Sequence, residues 1–368
     1  MKCTSCGGRN LEFIYKFSDA PVLNNVFFTT KAAAQKARKG VITLHGCKTC
    51  GLVFNTSFNE KWSHYTGIYD NTQNASPYFS TYMQKLARRL FKKYRLKDKR
   101  VVEVGCGKGQ FLELFYDLGV RHIQGFDPTY TNYKPKIDQL IVRKYFNKNN
   151  IRGKVDVIIC RHTLEHIPRL REFVKSVSQC LAKDGVMYFE IPDLSWIVKN
   201  KTFFDFTYEH CNYFTPHSLH ALFSQFGFGR ITFKQGLGGQ YIQAEVRRGV
   251  PKKTKTRPIR FEAVKKSIEL DREYAENTLK RFGRFIVWGA GGKGVFFLNR
   301  LQIQSPFVID INKNKQNKYI PGTAQRVVSP EILRKEKIDA IIIMNPIYAK
   351  EIREVARNQN FRGKFIEV

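Results

Sequence analysis

Residues 99–127 read KRVVEVGCGKGQFLELFYDLGVRHIQGFD. Val101, Val102 and Val104 form a short apolar run behind a basic segment, and Gly105, Gly107 and Gly109 follow at once. An apolar run that ends in glycines predicts a buried parallel strand entering a tight turn. Phe111, Leu112, Leu114, Phe115 and Leu118 then recur at helical spacing, so the turn opens a helix. A second strand, HIQGFD, ends on Asp127, 24 residues after Glu103. Glycines let backbone approach a ligand closely, and a carboxylate at the next strand tip can accept from ribose hydroxyls. Strand, glycine turn, helix, strand and acid make the first half of a nucleoside-binding, Rossmann-like unit.

The spacing is Glu-x-Gly-x-Gly-x-Gly, not the Gly-x-Gly-x-x-Gly of dinucleotide sites. It resembles motif I of class I S-adenosylmethionine (SAM) methyltransferases. That resemblance implies a SAM site built from Glu103, Gly105, Cys106, Gly107 and Gly109, with Asp127 as the ribose-binding acid. Downstream, Tyr145 and Phe146 stand where a third strand would present a ring to adenine. VDVIIC (155–160) reads as a buried strand, the following segment as a helix reaching Gly185, and VMYFEIPD (186–193) as the next strand. This alternation implies βαβ units with ligands at the carboxyl ends of the strands. His162, Glu165 and His166 superficially match an inverted zinc-protease motif. At the tip of a methyltransferase-like strand, His162 instead lines the SAM or substrate pocket, and Glu165 and His166 cap and orient the helix.

The segment DFTYEHCNYFTPHSLHALFSQFGF (205–228) is the best candidate for chemistry. Glu209-His210 lies in an aromatic loop before a helix opened by Thr215-Pro216, an N-cap and N1 pair. A histidine beside a carboxylate has a pKa near working pH and a fixed orientation, which suits a general base. A buried pair that only closes the loop is the alternative. RITFKQGLGGQYIQAEVRR (230–248) then predicts an antiparallel hairpin. The polar, aromatic stretch 62–83 reads as a loop entering a helix, with Tyr65 and Tyr69 either as a lid or as plugs of a domain interface.

Upstream, Cys3-x-x-Cys6-Gly and Cys47-x-x-Cys50-Gly are two knuckles separated by 40 residues. Each offers two thiolates to one tetrahedral ion, and the glycine allows the turn that aims amides at sulfur. A closed four-cysteine Zn²⁺ site is structural, and a redox role for either pair is the alternative. Cys106, Cys160, Cys180 and Cys211 have no such partner and read as buried. The chain has 63 Lys and Arg against 31 Asp and Glu, a formal charge of +32. Such a field attracts nucleic acid, anionic membranes or phosphorylated substrates. The basic residues are nevertheless spread along the chain, the densest run being helical (86–100), and no nucleic-acid motif accompanies them. No 18-residue apolar run and no signal-peptide core occur, which points to a cytoplasmic protein without a membrane segment.

A basic linker (247–260) and a polar helix precede a second α/β domain. There Gly289-x-Gly291-x-x-Gly294 has dinucleotide spacing and Asp310 follows the next strand. NAD binding, a diphosphate held by the helix N-terminus and Lys293, and a purely structural fold are all compatible with these residues.

With the knuckles, EVGCGKG, YEHCNYFT, WGAGGKG, KYIPGT and VVSPEIL in view, the chain resembles the nucleotide-sugar C-methyltransferases of deoxysugar biosynthesis. The resemblance spans essentially the full length. It implies a zinc domain (1–80), a class I SAM methyltransferase domain (81–248) and a C-terminal Rossmann-like substrate domain (249–368) in a monomer. It also implies a thymidine-diphosphate 4-keto sugar as substrate. His210 would remove the proton at C3, with Glu209 as its partner, Tyr69 as a supporting phenol and Tyr208 alongside. Methylation of oxygen or nitrogen on another small molecule, and a zinc-ribbon protein acting on nucleic acid, are the competing readings.

Overall fold

The computed structural model describes all residues except 64, 66, 67, 71, 73, 74, 132–134, 252, 255 and 304. In chain order, β1 (Leu11–Pro21), α1 (Lys31–Gln35), β2 (Lys39–Cys47), β3 (Val53–Asn55) and α2 (Pro77–Tyr94) come first. Next are β4 (Val101–Val104), α3 (Gln110–Asp117), β5 (Ile123–Phe126), β6 (Ile141–Val142), β7 (Val155–Arg161), α4 (Leu170–Cys180) and β8 (Leu181–Pro192). They lead to α5 (Leu194–Asn200), β9 (Asn212–Tyr213), α6 (Pro216–Ser224), β10 (Arg230–Gly236) and β11 (Tyr241–Arg247). The last third holds α7 (Phe261–Leu279), β12 (Phe285–Trp288), α8 (Gly292–Arg300), β13 (Phe307–Ile309), β14 (Arg326–Val328), β15 (Ala340–Ile343), α9 (Ala349–Asn358) and β16 (Lys364–Glu367).

The central sheet has the order β10-β11-β8-β7-β4-β5-β6. Strands β4 to β8 pair in parallel, and β11 runs antiparallel to both its neighbours. This is the class I methyltransferase arrangement, with the expected hairpin at one edge. The order reverses between β4 and β7, so a crevice opens at their carboxyl ends. The C-terminal sheet, β14-β13-β12-β15-β16, is wholly parallel and has its own reversal between β12 and β15.

The helix expected to reach Gly185 ends at Cys180. Leu181 is already extended (ψ 134°), pairs with Val155 and is buried in the sheet core. Extended backbone is what carries this leucine inward, while Lys183 and Asp184 remain exposed in an irregular stretch of the strand. The Thr215-Pro216 start of α6 carries a full capping box, with the Thr215 and Ser218 side chains each accepting from the other's backbone N–H.

The N-terminal sheet, β1-β2-β3-β9, is completed by a strand from the middle of the chain. One hydrophobic core therefore joins β1 and β2 to the 194–213 segment and to α7 and α8. Phe17 packs against Phe206 and edge-on against Phe296, with ring centroids 6.1 and 5.4 Å apart. This shared core fixes the loop after α5 between the methyltransferase and C-terminal sheets. Among the described residues, no helix is long and apolar enough to cross a membrane.

Candidate active site

A cavity of about 410 Å³ lies at the carboxyl ends of β4 and β7. Its first wall is the turn after β4, where Gly105, Gly107 and Gly109 all have positive φ (71°, 55° and 72°). The turn also passes very close to its neighbour, since a Cβ on Gly105 would stand 2.0 Å from Thr163 Oγ1. Asp127, at the tip of β5, accepts from the Gly107 N–H at 2.7 Å on one oxygen. Its other oxygen accepts from the Thr129 N–H at 2.7 Å and hydroxyl at 2.6 Å. Glu103 is buried and one of its oxygens has no partner. Burial raises its carboxyl to about 7 against the opposing charge of Arg161. Cys106 and Tyr145 also line the cavity, Cys106 buried and Tyr145 exposed in the loop after β6. The expected cofactor residues Glu103, Gly105, Cys106, Gly107, Asp127, Tyr145 and His162 thus meet at one cavity, with Gly109 opening α3 behind it.

The floor is an ion pair. Arg161 donates through Nε and Nη2 to Glu190 Oε1 at 3.0 and 2.7 Å, and its guanidinium lies over the Phe111 ring. Burial pushes Glu190 up, yet the charge of Arg161 holds it well below the usual carboxylate range. His162 Nε2 stands 3.2 Å from the same oxygen, and burial lowers its pKa. His162 has φ 49°, a strained left-handed conformation for a non-glycine residue, which places its ring at the cavity.

The opposite wall comes from three distant segments. Glu209 Oε2 accepts from the Asn24 backbone N–H at 3.1 Å, and Tyr69 hydrogen-bonds the same carboxylate. Asn25 Nδ2 in turn donates to the Tyr69 hydroxyl at 3.1 Å. Burial raises Glu209 to about 7, and these hydrogen bonds oppose the shift. Glu209 was expected to orient His210. It is instead held by Asn24 and Tyr69, and the His210 ring hydrogen-bonds the Asp205 backbone.

The expectation that His210 titrates near working pH is also corrected. Burial, reinforced by His162 and the charge of Lys293, lowers it to about 4, so the ring is neutral at pH 7. Tyr208 does not reach the cavity. It is fully buried, its ring stands 5.5 Å from that of Phe58, and its hydroxyl accepts from the Asn59 N–H at 2.9 Å. Neighbouring residues of an extended loop face opposite ways, and Tyr208 faces the N-terminal core. Glu165 and His166 do not cap α4. Both line the cavity, and His166 Nδ1 lies 2.9 Å from both the Tyr65 hydroxyl and the Glu209 carbonyl.

A second cavity, of about 270 Å³, opens above the glycine turn of the C-terminal sheet. It shares Asn25, Thr72, Tyr241, Gly292 and Lys293 with the first, so the two cavities are neighbours divided by a common wall. Gly294 lies against the turn, where a Cβ would stand 1.8 Å from the Gly289 carbonyl oxygen. Asp310 accepts from the Ala290 and Asn312 N–H groups at 2.9 and 2.8 Å and pairs with buried Lys315 at 3.2 Å. Lys293, expected to face a diphosphate, donates to Asp205 at 2.9 Å. An ammonium has three donors, so this bond leaves two.

The knuckles come together as their spacing predicts. The Sγ atoms of Cys3, Cys6, Cys47 and Cys50 all lie within 4.8 Å of one another, with the Cys3–Cys50 and Cys6–Cys47 pairs at 3.6 Å. A tetrahedral ion with bonds of about 2.3 Å to sulfur separates its thiolates by about 3.8 Å. Gly7 and Gly51, at φ 75° and 73°, make the knuckle turns, and the Gly8 N–H points at Cys6 Sγ at 3.4 Å. These residues fit a metal ion.

Sequence reasoning missed Arg161, Glu190, Asn24, Asn25 and Asp205. Only Arg161 carries a local signal, a charge ending an otherwise apolar strand. The others are placed by contacts across long sequence distances.

A family model described as "Methyltransferase domain" matches residues 76–231, and one described as "C-methyltransferase C-terminal domain" matches residues 240–368. The C-methyltransferase NovU of Streptomyces niveus is 23% identical over 95% of this chain and 91% of its own length. A ubiquinone biosynthesis O-methyltransferase of Pelagibacter ubique is 27% identical over 35% of this chain and 58% of its own. Among solved structures, the plantazolicin methyltransferase BpumL in complex with SAH is 13% identical, covers 48% of this chain and 88% of its own, and has a TM-score of 0.37.

Proposed function

We propose that this chain, which belongs to the class I SAM-dependent methyltransferases that carry a C-methyltransferase C-terminal domain, methylates carbon on a nucleotide-linked 4-keto sugar. The supporting observation is the pair of adjoining cavities that share Asn25, Thr72, Tyr241, Gly292 and Lys293 as lining. One compartment holds the glycine turn, Asp127 and His210, and the other lies at the glycine turn before α8. A two-part substrate fits this shape, with its sugar at His210 and its diphosphate and nucleoside toward Gly291–Lys293.

When bound, SAM supplies an electrophilic methyl group. Asp127 and the Gly105–Gly109 turn would hold its nucleoside, and the Arg161–Glu190 ion pair forms a floor in which the two charges offset each other. His210 gives one ring N–H to the Asp205 backbone and keeps a lone pair on the other nitrogen. That nitrogen takes the proton from the carbon α to the ketone, and the electron pair of the broken C–H bond becomes the enolate nucleophile. A neutral ring at pH 7 needs no prior deprotonation. Its low pKa makes proton abstraction uphill unless the enolate oxygen is stabilised, and the Tyr65 phenol at the cavity is a protonated donor for that purpose, while Tyr69 is engaged with Glu209 and Asn25 and supports that wall. Cys3, Cys6, Cys47 and Cys50 would hold a structural Zn²⁺ that ties the N-terminal knuckle to the end of β2. The other four cysteines, Cys106, Cys160, Cys180 and Cys211, are buried thiols, which suits a reducing cytoplasm.

The test is thermal stability with SAM, then with thymidine or uridine diphosphate added. A ligand that binds only the folded state raises the melting point by mass action. The reading requires a shift with SAM and a further shift with the diphosphate. A SAM shift with no nucleotide effect would move the acceptor to another class of small molecule.

A further inference from the structure

One cluster at the cavity is not used by this reaction as a unit. Glu165, in the turn after β7, and His166 beside it meet His210 from the loop after α5. One ligand atom from each lies within 4.8 Å of the others. The His166 and His210 rings are edge-on with centroids 4.9 Å apart. Glu165 is only 2% exposed, and its Oε2 has no hydrogen-bond partner. A buried carboxylate oxygen without a partner is costly unless a positive group meets it. Each imidazole is steered by a backbone carbonyl, His166 Nδ1 by Glu209 at 2.9 Å and His210 by Asp205. A histidine that gives one N–H to a carbonyl presents its other nitrogen as a lone pair, which is how metal-binding histidines are oriented.

We propose that Glu165, His166 and His210 form a second metal site, open to the cavity and selective for Zn²⁺-class transition-metal dications. Two imidazoles and one carboxylate suit Zn²⁺ and Co²⁺, whereas Mg²⁺ and Ca²⁺ take oxygen ligands. Bonds of about 2.0–2.2 Å put tetrahedral ligands about 3.4 Å apart. The present spacing, within 4.8 Å, has to contract when an ion binds, through rotation of Glu165 and of the two imidazole rings. Three protein ligands leave one position facing the cavity, in contrast to the closed four-thiolate cluster. The cation takes the His210 lone pair that the proposed base needs. Metal occupancy and proton abstraction therefore exclude each other, and the site is inhibitory. That consequence rests on the proposed role of His210, whereas metal binding itself does not.

The experiment is Co²⁺ titration of the metal-stripped full-length chain, read by visible absorption and by metal bound per chain after gel filtration. The expected result is two equivalents. One carries the intense thiolate charge-transfer bands of the cysteine cluster, and the other only weak d–d bands without sulfur. Glu165→Gln and His166→Ala should each keep the thiolate equivalent, which reports that the N-terminal domain is folded, and weaken the second at least tenfold. Wild-type protein that binds a single equivalent overturns the proposal, as do variants that keep both at wild-type affinity. Because no substrate is present, failure here leaves the methyltransfer reading intact, and failure of methyl transfer leaves this site intact.

Discussion

Lys293 Nζ, in the first turn of α8, lies 2.9 Å from Asp205 Oδ2, and the backbone of that same Asp205 holds the His210 ring. The C-terminal domain thereby touches the loop that carries the proposed base. Lys293 also lies over the rings of Trp196 and Phe204, at 5.1 and 5.8 Å from their centroids.

Lys293→Met should leave the Asp205 carboxylate unpaired in a largely buried setting. The loss lies between that of an exposed pair and a buried one, about 1–3 kcal/mol. Urea denaturation measures it. The same variant should shrink the extra melting-point shift given by a nucleoside diphosphate while leaving the SAM shift in place.

Gly105→Ala adds a Cβ at φ 71°, 2.0 Å from Thr163 Oγ1. The turn must move, and with it the Gly107 N–H that Asp127 holds. We expect SAM affinity to fall more than tenfold by calorimetry, at a stability cost on the order of 1–3 kcal/mol.

Asp271, on α7, accepts from the Phe203 N–H at 2.6 Å, and burial raises its carboxyl to about 7. A carboxyl raised in the folded state binds more protons folded than unfolded between its two pKa values. Its contribution to stability is therefore present below about pH 4 and lost as pH rises to about 7, a change on the order of 4 kcal/mol. Asp271→Asn keeps an acceptor for Phe203 and removes the charge. Denaturation midpoints between about pH 4 and 7 should fall less steeply in the variant than in the wild type.

Cys50→Ser, or a strong chelator, should release the ion from the four-thiolate cluster. The expected readouts are loss of one bound equivalent of metal, a lower melting point and faster proteolysis before residue 60. Cys3, Cys47 and Cys50 pack in the same core as the central sheet, but the strands of that sheet pair only with one another, so a SAM shift should persist at a lower melting point.

The unit from Val101 to Asp127 was legible because each of its signals is local: an apolar run, glycines where φ is positive, and helical spacing behind them. The Thr215-Pro216 cap and the hairpin at the sheet edge were readable for the same reason. The meeting of Cys3 and Cys6 with Cys47 and Cys50 was readable from chemistry, since two knuckles make one tetrahedral set. The true partner of Glu209 was not, because Asn24 and Tyr69 arrive from 185 and 140 residues away in sequence. Nor was the low pKa of His210, which is set by burial and by a lysine of another domain. Tyr208 misled because adjacency to Glu209-His210 says nothing about which way a loop side chain faces. Leu181 misled because helical spacing persists past the point where the sheet claims the residue.

Mass spectrometry of a nucleotide-linked 4-keto sugar incubated with enzyme and SAM in D₂O tests the central claim most directly. The account predicts a product heavier by one methyl group, with the new bond at the carbon next to the ketone. It also predicts deuterium exchange at that carbon without SAM, and loss of both with His210→Ala. Methylation on oxygen or nitrogen, or unaltered sugar from enzyme that binds both SAM and the nucleotide, would contradict it.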